Sequence, residues 1–252
     1  MWTVYDRLIS AVKDEGVIKD FAVGPDWCCV LTEDGRMGLS HVRREQWRRF
    51  PFKTDFKPGM PLAEAAAALK SWNPPEAALG LACINASFNT PSSVSPDAVV
   101  YPGGRRSRGV FAQYCGQRTQ GCRTLMVEPY YDRDEMTSVP GMYDIIRLET
   151  SYRDYRYNAW EELLPEADSL LLSGISLENK LAGLILGEAV RQGKPVYIWG
   201  PDVPLAPVLS QCGVGEVTGF IVDDAEKCFW TVKRAGSRDE ILKLGHFVTE
   251  KY

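Results

Sequence analysis

Histidine is nearly absent from this chain: His41 and His246 are the two among 252 residues. They stand far apart, no H-E-x-x-H or C-x-x-C motif occurs, and the nearest cysteine spacing, Cys115 to Cys122, matches no recognised ligand pattern. A soft-metal site built from these thiols is therefore disfavoured. Also missing are a G-x-G-x-x-G loop, a P-loop and a G-x-S-x-G elbow, which removes the usual signatures of dinucleotide binding, nucleotide hydrolysis and serine nucleophiles. No apolar run approaches the roughly 18 residues that cross a bilayer. The opening Met1-Trp2-Thr3-Val4-Tyr5-Asp6-Arg7 lacks the basic and apolar regions of a signal peptide. Charge of one sign is lacking as well. With 29 basic and 33 acidic residues the net charge is −4, which gives nucleic acid no purchase. The basic clusters Arg43-Arg44 with Arg48-Arg49, and Arg105-Arg106 with Arg108, have no aromatic platform beside them and read as solvated faces.

What is present is an ordinary globular composition, 45% hydrophobic and 25% charged. Seven cysteines, an odd number scattered through apolar stretches such as Leu81-Ala82-Cys83-Ile84, read as reduced, buried thiols and a cytoplasmic setting. Neither membrane nor nucleic acid is expected as a partner. A homodimer is the base-rate expectation for assembly.

Trp2, Tyr5, Leu8, Ile9 and Val12 recur at helical spacing. Next comes a hairpin, Trp27–Leu31 and Arg36–Ser40, around the turn Glu33-Asp34-Gly35, whose Asp-Gly tolerates positive φ. One helix is expected from Pro61 to about Lys70. Another is expected after Asn73 as cap, with Pro74 in its first turn and Glu76 completing a capping box. This second helix is apolar on nearly every face from Ala77 to Ala86, so it belongs inside the protein. Residues 90–109, rich in Pro, Ser, Gly and Arg, read as a linker. They place a domain boundary near 105, with residues 1–105 on one side and 106–252 on the other.

Beyond the linker, apolar strands are expected at Thr124–Val127, Asp144–Leu148, Ser169–Leu172, Val196–Trp199 and Val217–Val222. A long helix is expected over Ser176–Gln192, another opening at Pro204 and closed by Gly213, and a last one after Asp223-Asp224. Short apolar strands separated by helices need crossovers. The C-terminal part is therefore a Rossmann-like, mainly parallel sheet flanked by helices, and the whole chain is α/β.

Several stretches carry a family resemblance. They are Ser71-Trp72-Asn73 with Glu76, Gly80 and Ile84-Asn85-Ala86; Gly200-Pro201-Asp202-Val203-Pro204-Leu205-Ala206-Pro207-Val208-Leu209 with Gly213; and Gly219-Phe220-Ile221-Val222-Asp223. Ser173-Gly174 with Asn179, and Leu148-Glu149, add to them. In these the chain resembles a bacterial and archaeal family named for "putative heavy-metal chelation". The resemblance implies an N-terminal α+β domain with an enolase-N-terminal-like fold joined to a Rossmann-like domain. It implies no enolase chemistry. It does imply binding of a small molecule or metal complex in the crevice between the domains, with heavy-metal chelation as the named role.

In open α/β sheets ligands sit at the C-terminal ends of the strands, and the candidates are read there. After the first strand stands Val127-Glu128-Pro129, where the family pattern carries glycine. A carboxylate at Glu128 opposes a phosphate and suits a cation, an amine or a hydroxyl. NAD and FAD are accordingly disfavoured. Glu149, about 20 residues on, stands where Rossmann-like proteins place an acid for ribose hydroxyls. Ser173 and Gly174 end the third strand and lead into a helix, with Asn179 able to turn an amide toward the same crevice; capping alone also accounts for them. Gly200 and Pro201 form a rigid turn that packing alone could demand. Asn85, an amide in an apolar helix, either caps a buried backbone group or helps build an interdomain site. No metal ligand and no catalytic residue is assigned. The cofactor reading stays open between a metal ion and a nucleoside-bearing ligand, and the alternative function is an enzyme using a ligand such as S-adenosylmethionine.

Overall fold

The computed structural model describes residues 1–13, 16–42, 51–102, 107–131, 134–136, 139, 141–148 and 153–252. Among these residues no helix is long and apolar enough to cross a membrane. The basic residues at 43–49 and 105–106, and Glu149, lie outside them.

The chain opens with α1 (Thr3–Ala11), which buries Tyr5 and Leu8 of the expected stripe, and Val4 beside them. Three strands follow, β1 (Ile18–Val23), β2 (Trp27–Thr32) and β3 (Met37–His41), in an antiparallel sheet of that order. The expected hairpin is β2–β3, turning at Gly35 with φ +83°. The strand β1 has no counterpart in the sequence reading. Central β2 is buried along its whole length. Successive side chains point to opposite faces, so Cys28 and Val30 enter one apolar core while Cys29 and Leu31 enter another.

The expected helix after Pro61 is short: α2 (Leu62–Ala65) tightens into a 3₁₀ turn over Ala66–Lys70. The next, α3 (Pro74–Phe88), is buried at every residue from Pro75 to Ala86. Its neighbours touch it at backbone distance. A Cβ on Gly38 would come 1.9 Å from the Ala82 carbonyl oxygen, and one on Gly80 would come 2.1 Å from the Leu69 nitrogen. The expected capping box does not form. Asn73 makes no side-chain cap bond, and Glu76 instead accepts from the Lys53 and Thr54 N–H groups and from Ser71 Oγ. Two backbone donors from the stretch before α2 and the Ser71 hydroxyl together outcompete one orphan amide.

The rest of the chain forms β4 (Val99–Tyr101), α4 (Ser107–Arg118), β5 (Arg123–Val127), β6 (Met142–Arg147), β7 (Tyr155–Arg156), α5 (Trp160–Glu166) and β8 (Ser169–Leu172). It continues with α6 (Gly174–Glu178), α7 (Leu181–Arg191), β9 (Val196–Trp199), β10 (Glu216–Val222), α8 (Ala225–Lys233), α9 (Arg238–Ile241) and β11 (Gly245–Lys251). Eight strands make one sheet in the order β4-β11-β10-β9-β8-β5-β6-β7. From β10 to β7 neighbouring strands are parallel, while β11 and β4 add antiparallel partners at one edge. The five expected strands are β5, β6, β8, β9 and β10. The stretch read as linker holds β4, which pairs with β11, and the start of α4.

Two helix expectations are corrected. The long helix over Ser176–Gln192 is two helices, broken at Lys180 with φ +75°. Asn179 stops the first, its Oδ1 accepting the Leu181 N–H while its amide is drawn to Glu128. The helix expected from Pro204 begins only at Pro207, and as a 3₁₀ turn to Cys212 closed by Gly213. The segment before it is held extended by Asn89, whose side chain accepts the Leu205 N–H and donates to the Val203 carbonyl.

The cores lie on the two faces of the large sheet. Leu125, Val127, Leu170, Leu172 and Ile198 face α1, α3 and α7; Met126, Leu171 and Trp199 face α4, α8 and α9. Both cores also take in residues of β2, so the small sheet and α3 sit against the strand ends of the large one.

Candidate functional site

Two polar clusters lie at the C-terminal ends of the parallel strands, joined by a wall of aromatic rings. The first is built on the turn after β9. There Asp202 is fully buried. It is seated against glycine on two sides: a Cβ on Gly174 would fall 2.3 Å from its carboxyl carbon, and one on Gly200 would fall 2.7 Å from Oδ1. Only glycine lets a carboxylate come this close to both turns. Asn85 reaches the same turn from α3, its Nδ2 donating to the Asp202 carbonyl at 2.9 Å and to the Leu39 carbonyl at 2.7 Å. One amide thus ties β3, α3 and the β9 turn together, and the Asn85 Oδ1 has no hydrogen-bond partner among the described residues. Ser173 caps α6: Ser176 N–H donates to Ser173 Oγ, and Ser173 N–H donates to Ser176 Oγ. Pro201 is buried in the turn itself.

The second cluster centres on Glu128, also fully buried, at φ +51°. Its Oε1 accepts the Leu148 N–H at 2.6 Å and the Asn179 amide at 3.1 Å. Arg147 stands 3.9 Å from its other oxygen, and is itself engaged with Asp154 and the Pro129 and Tyr131 carbonyls. The place after the first strand, where a dinucleotide fold receives pyrophosphate, is taken by this carboxylate.

Between the clusters stand Tyr130, Tyr131 and Trp199. Tyr130 packs 5.2 Å from Tyr131, 6.3 Å from Trp199, 5.6 Å from His41 and 6.1 Å from Trp27, measured between ring centroids. The Tyr130 hydroxyl and the Trp199 indole N–H are buried and have no hydrogen-bond partner among the described residues. Burial pushes the Tyr130 phenol well above its ordinary pKa, and the neighbouring Tyr131 adds to the shift. The phenol is therefore a neutral donor at any ordinary pH.

The structure brings Asn85, Gly174 and Gly200 together around Asp202, and Asn179 together with Glu128. It describes nothing of Glu149. The sequence reading missed Asp202, Tyr130 and Trp199. Asp202 stood inside the Gly-Pro-Asp motif that marked the fold, and Tyr130 two residues after Glu128, but a strand-end aromatic is indistinguishable from core without coordinates. Two cavities lie elsewhere. One of about 500 Å³, at the opposite ends of β9 and β10, is bordered by Arg118, Glu216, Lys251 and Tyr252. Its Arg118 and Glu216 are spent on each other as a bidentate pair. The other, about 250 Å³, lies between α1 and α7.

Two family models match the chain, DUF4213 over residues 5–88 and DUF364 over residues 134–250, both described as "Putative heavy-metal chelation". The chain belongs to this two-part family. A crystal structure of a DUF364 protein with unknown function from Desulfitobacterium hafniense DCB-2 is 27% identical, aligned over 100% of this chain and 99% of that one, with a TM-score of 0.83. A second DUF364 protein with unknown function, from Pyrococcus horikoshii, is 17% identical over 99% of this chain and 98% of that one, at a TM-score of 0.77, and shows the fold alone. No curated protein matches the chain significantly.

The family description raises the question of a metal. Among the described residues no three His, Cys, Asp or Glu side chains come together as a metal-binding group. Cys28, Cys29, Cys83, Cys115 and Cys228 are buried, and burial pushes each thiol above its ordinary pKa, so none is poised as a thiolate. The donor set described here does not fit a bare heavy-metal ion.

Proposed function

We propose that the protein binds a small molecule, or a metal already held within a complex, at the strand ends where α3 meets the Gly200-Pro201-Asp202 turn. One observation carries this reading. A buried carboxylate, Asp202, is held between two glycines beside an aromatic wall whose Tyr130 hydroxyl and Trp199 indole N–H have no hydrogen-bond partner among the described residues. Buried donors are nearly always paired in folded proteins, and leaving one unmade costs about 1–3 kcal/mol. A ligand offering an acceptor to these donors recovers that cost. The preference for a complex over a free ion follows from the donor set, since a metal arriving with its own ligands needs no cluster of side chains.

A nucleoside-bearing ligand such as S-adenosylmethionine is the second reading. It is favoured by Glu128, which fixes the Leu148 N–H directly before Glu149 and keeps a diphosphate out. Native mass spectrometry of the purified protein separates the readings. We expect a stoichiometric adduct that disappears in Asp202→Asn: a metal-containing mass supports the complex, whereas a nucleoside mass lost in Glu149→Ala supports the second reading. No adduct, together with a flat thermal-shift panel of metal chelates and adenosine compounds, defeats both.

A further inference from the structure

The strand-end site is closed. Asp202, Tyr131 and Trp199 are each at most 1% exposed, so anything that binds there enters past a side chain that moves. Arg238, the first residue of α9, stands at that entrance. Its guanidinium carbon lies 5.6 Å from the Tyr130 ring centroid and 5.3 Å from that of Tyr131. The Arg238 side chain is 37% exposed and pairs with Glu135, itself 26% exposed. Tyr130 feels both sides of the site: after burial and Tyr131, Arg238 draws its pKa down while Asp202 and Glu135 draw it up. Arg238 thus covers the two tyrosines from its half-exposed position, and fully buried Asp202 lies within electrostatic reach of Tyr130.

A face of aromatic rings with a buried carboxylate behind it is a receptor for cations, because ring quadrupole and carboxylate attract the same sign. Here the outer side of that face already holds a guanidinium. Anions are opposed twice, by Asp202 and by Glu128. The arginine can also leave without disturbing its helix. Ile241 and Leu242 anchor α9 in the core, and Ser237 with Glu240 forms a reciprocal cap at its start. Only a half-exposed side chain and its ion pair must swing aside.

We propose that the Arg238 guanidinium is the chain's own stand-in for a small organic cation: it closes the strand-end site, and the ligand is a cation that displaces it from Tyr130 and Tyr131 and comes to rest against Asp202. This rests on the strand ends being the ligand site. It narrows that site to positively charged molecules, whether a sulfonium, an amidinium or a cationic metal complex.

The test uses benzamidinium and tetramethylammonium as probes and benzoate as the anionic control, titrated calorimetrically into the full-length protein. Wild type is expected to bind the cations weakly, Arg238→Ala about tenfold more tightly because the competing internal cation is gone, and neither to bind benzoate. Adding Asp202→Asn to Arg238→Ala is expected to abolish the gain, whereas adding Glu135→Gln is expected to leave it. The opposite dependence, on Glu135 and not on Asp202, means the probe merely refills the arginine's place and overturns the proposal. Should the Asp202 variant fail to fold, the indole N–H resonance of Trp199, assigned through Trp199→Phe, serves instead: it must shift when cation is added to Arg238→Ala. Binding of benzoate or neutral adenosine that moves this resonance, with no cation binding, defeats the inference and leaves the strand-end site standing. If no probe moves it, and the purified protein carries no adduct, both fall.

Discussion

Single residues in this protein carry constraints that local sequence does not announce. Gly174 is the clearest. A methyl group there would meet the Asp202 carboxylate at 2.3 Å, well inside van der Waals contact, and the carboxylate is fully buried with nowhere to retreat. Gly174→Ala is expected to cost about 1–3 kcal/mol, the usual penalty for overpacking. The cause is one specific contact, so Asp202→Ala should recover much of the loss, while Asp202→Asn, of equal size, should recover none. Urea melts of wild type, the three single variants and the two double variants check this, and additive losses would disprove the contact. Lys180 makes a second case. It is 2% exposed, sits at φ +75°, and donates from Nζ to the Glu178 carbonyl at 2.5 Å. Burial pushes its amine from 10.5 down to about 8, against the attraction of Glu178 and Glu76. Between those values the unfolded chain holds more protons than the folded one, so stability gains with rising pH. Below about 8 the burial cost of the charge is present in full. The stability of wild type relative to Lys180→Gln is therefore expected to rise between about pH 8 and 10, by at most about 1.4 kcal/mol per pH unit. A difference that stays flat or falls across that range contradicts the assignment.

At the scale of elements, the parts legible in the sequence were those whose cause is local. Strands β5, β8 and β9 are short apolar runs bounded by turn residues, and their expected limits hold within a residue. Gly35 and Gly213 closed their segments as expected, because positive φ is a property of one residue. The errors share the opposite character. The α6–α7 break, the unformed box at α3 and the extended chain before Pro207 each come from a side chain answering a distant group: Asn179 with Glu128, Glu76 with Lys53 and Thr54, Asn89 with Leu205. Periodicity cannot report such bonds. Strand β4 was hidden for the same reason, since Val99–Tyr101 is a strand only because β11 lies beside it. The site follows the same division. Gly174, Gly200 and Asn85 could be picked out as residue types that are unusual in their segments. Asp202 and Trp199 looked like turn and core, and acquire meaning only once α3 and β9 meet.

At the scale of the whole molecule, the two family matches suggest separable halves, yet the contacts between them are those of an interior. Asn85 and Asn89 on α3 and just beyond it bond to the carbonyls of Asp202, Val203 and Phe220 in the C-terminal part. One core cluster runs without interruption from Val4 and Leu8 through Leu79 and Ile84 to Leu172 and Ile198. Separating the halves would expose α3, which is apolar on all sides, and exchange the hydrogen bonds of two amides for water at roughly 0.5–1.5 kcal/mol per bond. A fragment of about a hundred residues has little stability to spend, since whole domains hold only about 5–15 kcal/mol. We therefore expect residues 1–102 expressed alone to lack a cooperative melt, and the full chain to unfold in a single calorimetric transition whose van't Hoff and calorimetric enthalpies agree. The same interlock explains why a ligand at the strand ends should stabilise the entire protein rather than one half of it. Asp202 is held from across the seam by Asn85, and Tyr130 packs there against Trp27 and His41, so two resolved transitions in the full chain, or a folded N-terminal fragment, would remove the structural basis for placing the site there.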